Sequence, residues 1–210
     1  DTLTRLAEIA AAHNILVVSD EIHCDMPLYG HTHTPFAMAS DTAAHCSITF
    51  GAPSKTFNIA GIVSSYSIIP DKAIREKFYS WLAANEFDMA TIFAMTATEA
   101  AFTHGEEWRR QMLRYIEGNI DFVADYLEKY IPQVRAVKPQ ASYLVWLDFS
   151  RLGLEHEALA DMIINKARLA MNDGAMFGVE GRQHMRMNVG CPRSVIAEAM
   201  DRLKKAVDEL

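Results

Sequence analysis

The sequence predicts an α/β fold in which a mixed β-sheet is followed by a smaller α+β domain. Two short apolar runs, residues 15–19 and 46–50, are rich in β-branched residues and too short for helices. Such runs are typical of strands buried on both faces of a parallel sheet. A third apolar segment, residues 62–69, follows the second run too soon for a parallel crossover. We therefore expect the third strand to run antiparallel to the second.

Helical periodicity occupies most of the rest of the first half. A helix should precede the first strand, and two more are expected at about residues 70–82 and 90–104. A polar loop is expected at residues 25–45. Gly105 then precedes a long amphipathic pattern that stops at Pro132. The change of pattern there predicts two domains, residues 1–104 and 105–210.

The second half has an α+β pattern. The expected elements, in chain order, are a hairpin formed by residues 134–137 and 142–149, a helix at 155–167, a turn at Asn172-Asp173-Gly174, a strand at 184–190, and a closing helix with Ser194 as its N-cap.

Composition restricts the class of protein. The chain has 210 residues, of which 50% are hydrophobic and 22% charged, which is ordinary for a globular protein. A net charge of −7 without any basic block argues against nucleic acid or an anionic membrane as the main partner. The three cysteines, Cys24, Cys46 and Cys191, are odd in number and widely spaced. This pattern predicts free thiols in a reducing cytoplasm.

Two charged residues follow the predicted parallel strands, Asp20 after the first and Lys55 after the second. Ligands of open α/β sheets bind beyond the carboxyl ends of such strands, so a carboxylate and an amine should face one crevice. Enzymes that use pyridoxal 5′-phosphate need this pair. Lys55 could also be a surface charge, but its small and apolar neighbours predict partial burial, which favours the free amine. Asp20 could simply cap a turn, or its carboxylate could pair with a pyridine nitrogen.

Other polar residues give weaker signals. Strand periodicity separates Arg186 from the apolar face of residues 184–190, where it is either merely exposed or offers a fork for an α-carboxylate. The consecutive residues His23, Cys24 and Asp25 do not converge easily on one metal ion. His31 and His33 are interpreted as loop histidines without a ligand. We therefore expect no metal site.

Three motifs taken together carry a resemblance to a known family. They are Val17-Val-Ser-Asp-Glu-Ile-His23, Ala52-Pro-Ser-Lys-Thr-Phe-Asn-Ile-Ala-Gly61, and Arg186-Met-Asn188 followed by Gly190-Cys-Pro-Arg193. Their order and spacing resemble the class I/II aminotransferase superfamily of fold-type I pyridoxal-phosphate enzymes, and within it the cystathionine β-lyase-like C–S lyases. The resemblance covers essentially the whole chain.

The resemblance implies a role for five residues. Lys55 would hold pyridoxal 5′-phosphate as a Schiff base and shuttle the α-proton of the substrate. Asp20 would pair with the pyridine nitrogen, and Arg186 would bind the carboxylate of an amino-acid substrate. Ser54 would contact the cofactor phosphate, and His23 falls where many relatives place a tyrosine near the ring hydroxyl.

Two positions depart from the family pattern. The family often has an arginine eight residues after the lysine to bind the phosphate, and a serine or glycine three residues before it. Here these positions are Val63 and Ala52. Phosphate binding from this half is therefore expected to be weaker than usual.

The resemblance also implies a function and an organisation. The expected activity is β-elimination from cystathionine or cystine, giving pyruvate, ammonia and a thiol; a class I/II aminotransferase and a non-catalytic truncated family member are the alternatives. Family members are nearly twice as long, so the chain should be their C-terminal half. Residues 1–104 would be the second half of the large cofactor-binding domain, and residues 105–210 the long linking helix and small C-terminal domain. We expect a homodimer in the full-length parent, and weak cofactor binding without activity for the 210-residue chain alone.

Overall fold

A computed structural model describes all residues, 1–210, and divides into two compact units, Asp1–Gln111 and Met112–Leu210. The sequence predicted a division between residues 104 and 105, and the observed one lies seven residues later, inside a long helix. The assignment of the two units to the two domains of the family stays a prediction. None of the helices is long and apolar enough to cross a membrane.

The first unit contains a three-stranded mixed sheet. Its elements, in chain order, are α1 (Thr2–Ala12), β1 (Val17–Asp20), α2 (Asp41–His45), β2 (Ser47–Gly51), β3 (Tyr66–Ile68), α3 (Lys72–Ala84), α4 (Ile92–His104) and the start of α5 (Glu106–Tyr130). β1 pairs with β2 in parallel, and β2 pairs with β3 antiparallel. The predicted mixed sheet and the direction of its third strand are confirmed.

Local sequence signals set the ends of two helices in this unit. Asn14, which follows α1, has a φ of +53°, a left-handed conformation that asparagine tolerates well at helix ends. Ser40 is the N-cap of α2, and its hydroxyl accepts a hydrogen bond from the Ala43 N–H at 3.1 Å. The sequence prediction of a loop over residues 25–45 was therefore wrong at its end, because the Ser40 side chain stabilises a short helix there.

The prediction that both faces of β1 are buried was also wrong. Val18 is 60% exposed, whereas Val17 packs against a small core formed by Ala7, Phe36 and Ala43. The reason is that β1 is an edge strand of this sheet, paired only with β2. In β2, by contrast, Ile48 is buried, as expected for the central strand.

The second unit contains a four-stranded antiparallel sheet with the strand order β4-β5-β7-β6. Its elements after α5 are β4 (Arg135–Val137), β5 (Leu144–Asp148), α6 (His156–Asp161) with a π-helical turn (Met162–Lys166), β6 (Asn172–Asp173), β7 (His184–Asn188) and α7 (Arg193–Asp208). The inward faces of α5, β5, β7 and α7 are buried. The core side chains from these elements include Ile120, Val123, Leu127, Leu147, Met185, Met187, Met200 and Leu203.

Two local predictions in this unit were wrong. Asn172 and Asp173 form a short strand paired with β7, and the turn begins only at Gly174. The Asp173 side chain accepts a hydrogen bond from the Ala175 N–H at 2.9 Å, so the Asp-Gly signal marks the end of the strand. The closing helix has Pro192 as its N-cap, and Ser194 lies within the helix.

Candidate functional site

Asp20 and Lys55 both lie at the carboxyl end of the parallel strand pair. Asp20 is the last residue of β1 and stands opposite Phe50 of β2. β2 ends at Gly51, and a turn that contains Lys55 follows, closed by a hydrogen bond from the Phe57 N–H to the Pro53 carbonyl at 2.9 Å. The topology thus brings the two predicted cofactor residues to the same edge of the sheet, where open α/β sheets bind ligands.

Lys55 is exposed, so the prediction of partial burial was wrong for this chain. Its neighbours Pro53 and Thr56 are buried, and the turn therefore directs only the lysine outward. The amine takes part in no hydrogen bond or ion pair within the chain. An amine without an internal partner is accessible for reaction with a carbonyl compound.

Asp20 is also exposed, and its side chain makes one local contact. The Oδ1 atom accepts a hydrogen bond from the Ile22 N–H at 3.2 Å. This is the turn-capping role that the sequence left open. The contact engages one of two carboxylate oxygens, so it is compatible with an ion pair to a protonated ring nitrogen.

Glu21, in contrast, is buried and organises the loop beside the site. Its carboxylate accepts hydrogen bonds from the Phe36 N–H at 2.9 Å and the Ser19 hydroxyl at 2.9 Å, and His33 Nε2 lies 2.8 Å away. Burial alone would raise the pKa of Glu21, but the contacts with His33, Phe36 and Ser19 outweigh it and lower the pKa. The ionised carboxylate therefore stabilises the segment between β1 and α2.

We expect Glu21→Gln to reduce the free energy of unfolding by about 1–3 kcal/mol at neutral pH, because a charged acceptor is replaced by a neutral one. A carboxyl group whose pKa is lowered in the folded state stabilises the protein above its unfolded pKa, and that contribution is lost as pH falls through the folded pKa. The difference between wild type and variant should therefore persist from neutral pH down to about pH 4.3, the unfolded pKa of glutamate, and shrink only below it. Urea unfolding at a series of pH values measures it, with the exposed Glu8→Gln as a control. A difference that does not shrink as the pH is lowered below about 4.3 would contradict the assigned role.

Ser54 and His23 are the other two residues predicted to contact the cofactor at this edge of the sheet. Ser54 is half-buried, and His23 lies in the turn after β1, where its carbonyl accepts a hydrogen bond from the Met26 N–H. Burial, followed by the negative charges of Asp25 and Glu21, raises the pKa of Cys24 to about 11. The Cys24 thiol is thus protonated at neutral pH and is no nucleophile.

Two local features, one at Thr56 and one at Val63, were not found from the sequence. The hydroxyl of Thr56 is buried and has no hydrogen-bond partner, an arrangement that is rare in native proteins. Val63, at the position of the family's phosphate-binding arginine, is 83% exposed and has a φ of +53°. A β-branched residue in the left-handed region is strained, and such strain is common at functional sites.

Arg186 lies on β7 in the second unit, on the face opposite the buried Met185 and Met187. Its Nη2 donates a hydrogen bond to the Asn172 Oδ1 at 3.1 Å, and the guanidinium carbon lies 4.7 Å from the centroid of the Phe177 ring. Its Nε is buried without a partner. Arg186 is thus half-buried and held by two contacts, and its role in binding a carboxylate stays a prediction.

Asn172 and Phe177 are neighbours of Arg186 that the sequence analysis missed. Asn172 was interpreted only as part of a turn, and Phe177 gave no periodic signal. No group of three or more histidine, cysteine, aspartate or glutamate side chains is placed to hold a metal ion. His33, for example, contacts Glu21.

The chain is similar to known proteins over almost its whole length. The family model "Aminotransferase class I and II" matches residues 1–203. The chain is 42% identical over 207 residues to "Cystathionine beta-lyase PatB" of Bacillus subtilis, covering 99% of the chain and 54% of that protein. It is 31% identical over 208 residues to "Protein MalY" of Escherichia coli, covering 99% and 53%.

A solved structure has the same fold. The structure of cystalysin from Treponema denticola, described as containing a pyridoxal 5′-phosphate cofactor, superposes with a TM-score of 0.94 at 34% identity, covering 99% of this chain and 52% of that one. The chain spans about half the length of the curated relatives it matches. The predicted fold class is confirmed, and the chain belongs to the aminotransferase class I and II family.

Proposed function

We propose that the protein is a pyridoxal-phosphate-dependent C–S β-lyase that releases pyruvate, ammonia and a thiol from cystathionine or cystine. The observation that carries the proposal is the placement of Asp20 and Lys55 beyond two paired parallel strands, in a chain 42% identical to a protein named cystathionine β-lyase. Cystalysin, which is similar over almost the whole chain, contains the cofactor.

The residues of the first unit fit the cofactor. Lys55 has the amine that would bind the cofactor aldehyde, and no internal ion pair competes for it. Asp20 would pair with the pyridine nitrogen through its carboxylate, and the Ser54 hydroxyl would donate a hydrogen bond to the phosphate. His23 would lie near the ring hydroxyl. Bound pyridoxal phosphate supplies an electron sink for the α-carbon of the substrate.

Proton transfer and substrate binding are the tasks of two side chains. Once displaced from the cofactor by the substrate amino group, the Lys55 amine would take the α-proton. Arg186 would bind the α-carboxylate through its guanidinium, whose buried and unpaired Nε leaves the side chain incompletely satisfied without a ligand. The electron pair left at the α-carbon would form a double bond to the β-carbon and expel the sulfur substituent as a thiolate, which is protonated to the thiol. Hydrolysis of the remaining fragment by water would give pyruvate and ammonia.

Transamination is the second candidate, because the matching family model is named for aminotransferases. It uses the same lysine, carboxylate and arginine and differs in where the proton is returned. The protein at its full natural length should be incubated with L-cystathionine, and separately with L-aspartate and 2-oxoglutarate. Pyruvate and a thiol formed in stoichiometric amounts would support the lyase. Amino-group transfer without pyruvate from cystathionine would reject it, and inactivity in both assays would indicate a non-catalytic member.

We further propose that the protein acts as a cytoplasmic homodimer. The cysteines Cys24, Cys46 and Cys191 are all free, as expected in a reducing compartment. The first unit also exposes Ile92 and Phe93 at the start of α4, with Phe93 76% exposed. An apolar surface of this kind is typical of a protein interface. Analytical ultracentrifugation of the full-length protein that found only monomer at micromolar concentration would contradict the dimer.

A further inference from the structure

In the sheet of the second unit, a hydrogen bond between two neighbouring strands involves the Arg186 side chain. β6 pairs antiparallel with β7, and Asn172 lies directly opposite Arg186. Side chains in this relation are close enough to interact. Here the Asn172 Oδ1 accepts the hydrogen bond from the Arg186 Nη2.

The guanidinium has few other contacts that fix its orientation. One side packs against the Phe177 ring, and the Nε is buried without a partner. The packing against the ring restricts the plane of the guanidinium. It does not fix the rotation of the guanidinium within that plane, so it does not set the direction of each nitrogen. The hydrogen bond from Nη2 to Asn172 is therefore the directional contact that sets the rotation of the Arg186 head group.

Asn172 is itself held in place, although β6 is only two residues long. The neighbouring Asp173 lies 3.2 Å from His156 Nε2, and His156 Nδ1 donates a hydrogen bond to the Arg182 carbonyl at 2.9 Å. Directly after β6, Gly174 passes so close to Gly181 that a Cβ atom there would lie 2.2 Å from the Gly181 carbonyl oxygen. These contacts fix the backbone on which Asn172 is mounted.

We propose that Asn172 is a positioning residue that orients Arg186 for a carboxylate without neutralising its charge. The inference rests on the proposed role of Arg186 in binding the substrate carboxylate. An amide oxygen is neutral, so it aligns the guanidinium and leaves the full positive charge for the ligand. An aspartate at the same position would form a salt bridge with Arg186 and compete with the incoming carboxylate.

The test measures the binding of acetate to the 210-residue chain by NMR. The chemical shifts of the backbone amides of β7 report the binding, and these amides are present in every variant. Asn172→Ala should weaken acetate binding about fivefold, because the orientation of the charged donor is lost. Asn172→Asp, which has the same size, should weaken it further. Met176→Ala is the control, since Met176 is exposed in the same segment, and it should bind acetate like wild type.

The outcomes separate this inference from the role of Arg186. Wild-type acetate affinity in Asn172→Asp would overturn the inference, because a purely structural role would be served equally well by aspartate. The proposed role of Arg186 would still stand in that case if the Arg186→Lys variant had lost most of its affinity for acetate. If Arg186→Lys binds acetate as well as wild type does, the proposed role of Arg186 fails, and the inference fails with it. Because Asn172→Asp retains an oxygen acceptor, it keeps the test valid even if Asn172→Ala does not fold.

Discussion

Replacement of Lys55 by alanine is expected to lower the rate of pyruvate release from cystathionine by at least about 1,000-fold in the cofactor-loaded, full-length protein. Two functions are lost together, the covalent attachment of the cofactor and the base that takes the α-proton. No other lysine can replace it on this edge by a small movement, since Lys72 and Lys77 lie on α3. The rate of pyruvate formation with saturating pyridoxal phosphate measures the effect.

Two further variants show whether the chemistry of the amine is responsible. Lys55→Arg keeps the positive charge, but a guanidinium does not lose its proton at neutral pH and should be as inactive as the alanine variant. Lys77→Ala, an exposed lysine of the same unit, should keep wild-type activity. Substantial activity in Lys55→Arg would show that only a charge is needed at this position and would contradict the assigned role.

The largest effect on stability is expected for Asn119→Ala, which should reduce the free energy of unfolding of the second unit by about 2–4 kcal/mol. Asn119 is fully buried on α5, and its Nδ2 donates hydrogen bonds to the carbonyls of Val189 at 2.8 Å and Cys191 at 3.0 Å. Its Oδ1 accepts a hydrogen bond from the Arg193 Nε at 2.8 Å. In the alanine variant, the Val189 and Cys191 carbonyls and the Arg193 side chain lose this hydrogen-bond partner. The two carbonyls lie in the loop that follows β7.

Urea unfolding, monitored by the fluorescence of Trp146 in a chain whose other tryptophans, Trp81 and Trp108, are replaced by phenylalanine, measures this loss. Asp125→Ala is the matched control, because Asp125 is exposed on the same helix and should change stability by less than about 0.5 kcal/mol. Equal unfolding midpoints for the Asn119 and Asp125 variants would contradict the account of this loop.

The sequence was most informative where a pattern has one physical solution. The spacing between the second and third apolar runs excludes a parallel crossover, and β3 is antiparallel as predicted. The alternation around Arg186 correctly placed Met185 and Met187 in the core. The position of Asp20 and Lys55 beyond neighbouring parallel strands also followed from short apolar runs that end in charged residues.

The errors come from features that depend on the neighbours of a residue in space. Burial of Lys55 was inferred from its neighbours in sequence, but in a tight turn adjacent side chains point in different directions, so Lys55 is exposed although Pro53 and Thr56 are buried. Val18 was expected to be buried because it is apolar, yet an edge strand has a partner on one side only. The contact of Asn172 with Arg186 depends on strand register, which an Asp-Gly turn signal does not specify.

The central claim is that Lys55 is the residue that carries pyridoxal phosphate, and borohydride trapping tests it most directly. The 210-residue chain is mixed with one equivalent of pyridoxal phosphate, reduced, digested and analysed by mass spectrometry. Reduction makes attachment irreversible, so even the weak binding expected of this chain is recorded. The account predicts that the label is concentrated on the Lys55 peptide in wild type and reduced markedly in Asp20→Ala. A label spread evenly over Lys55, Lys72 and Lys77 would contradict it.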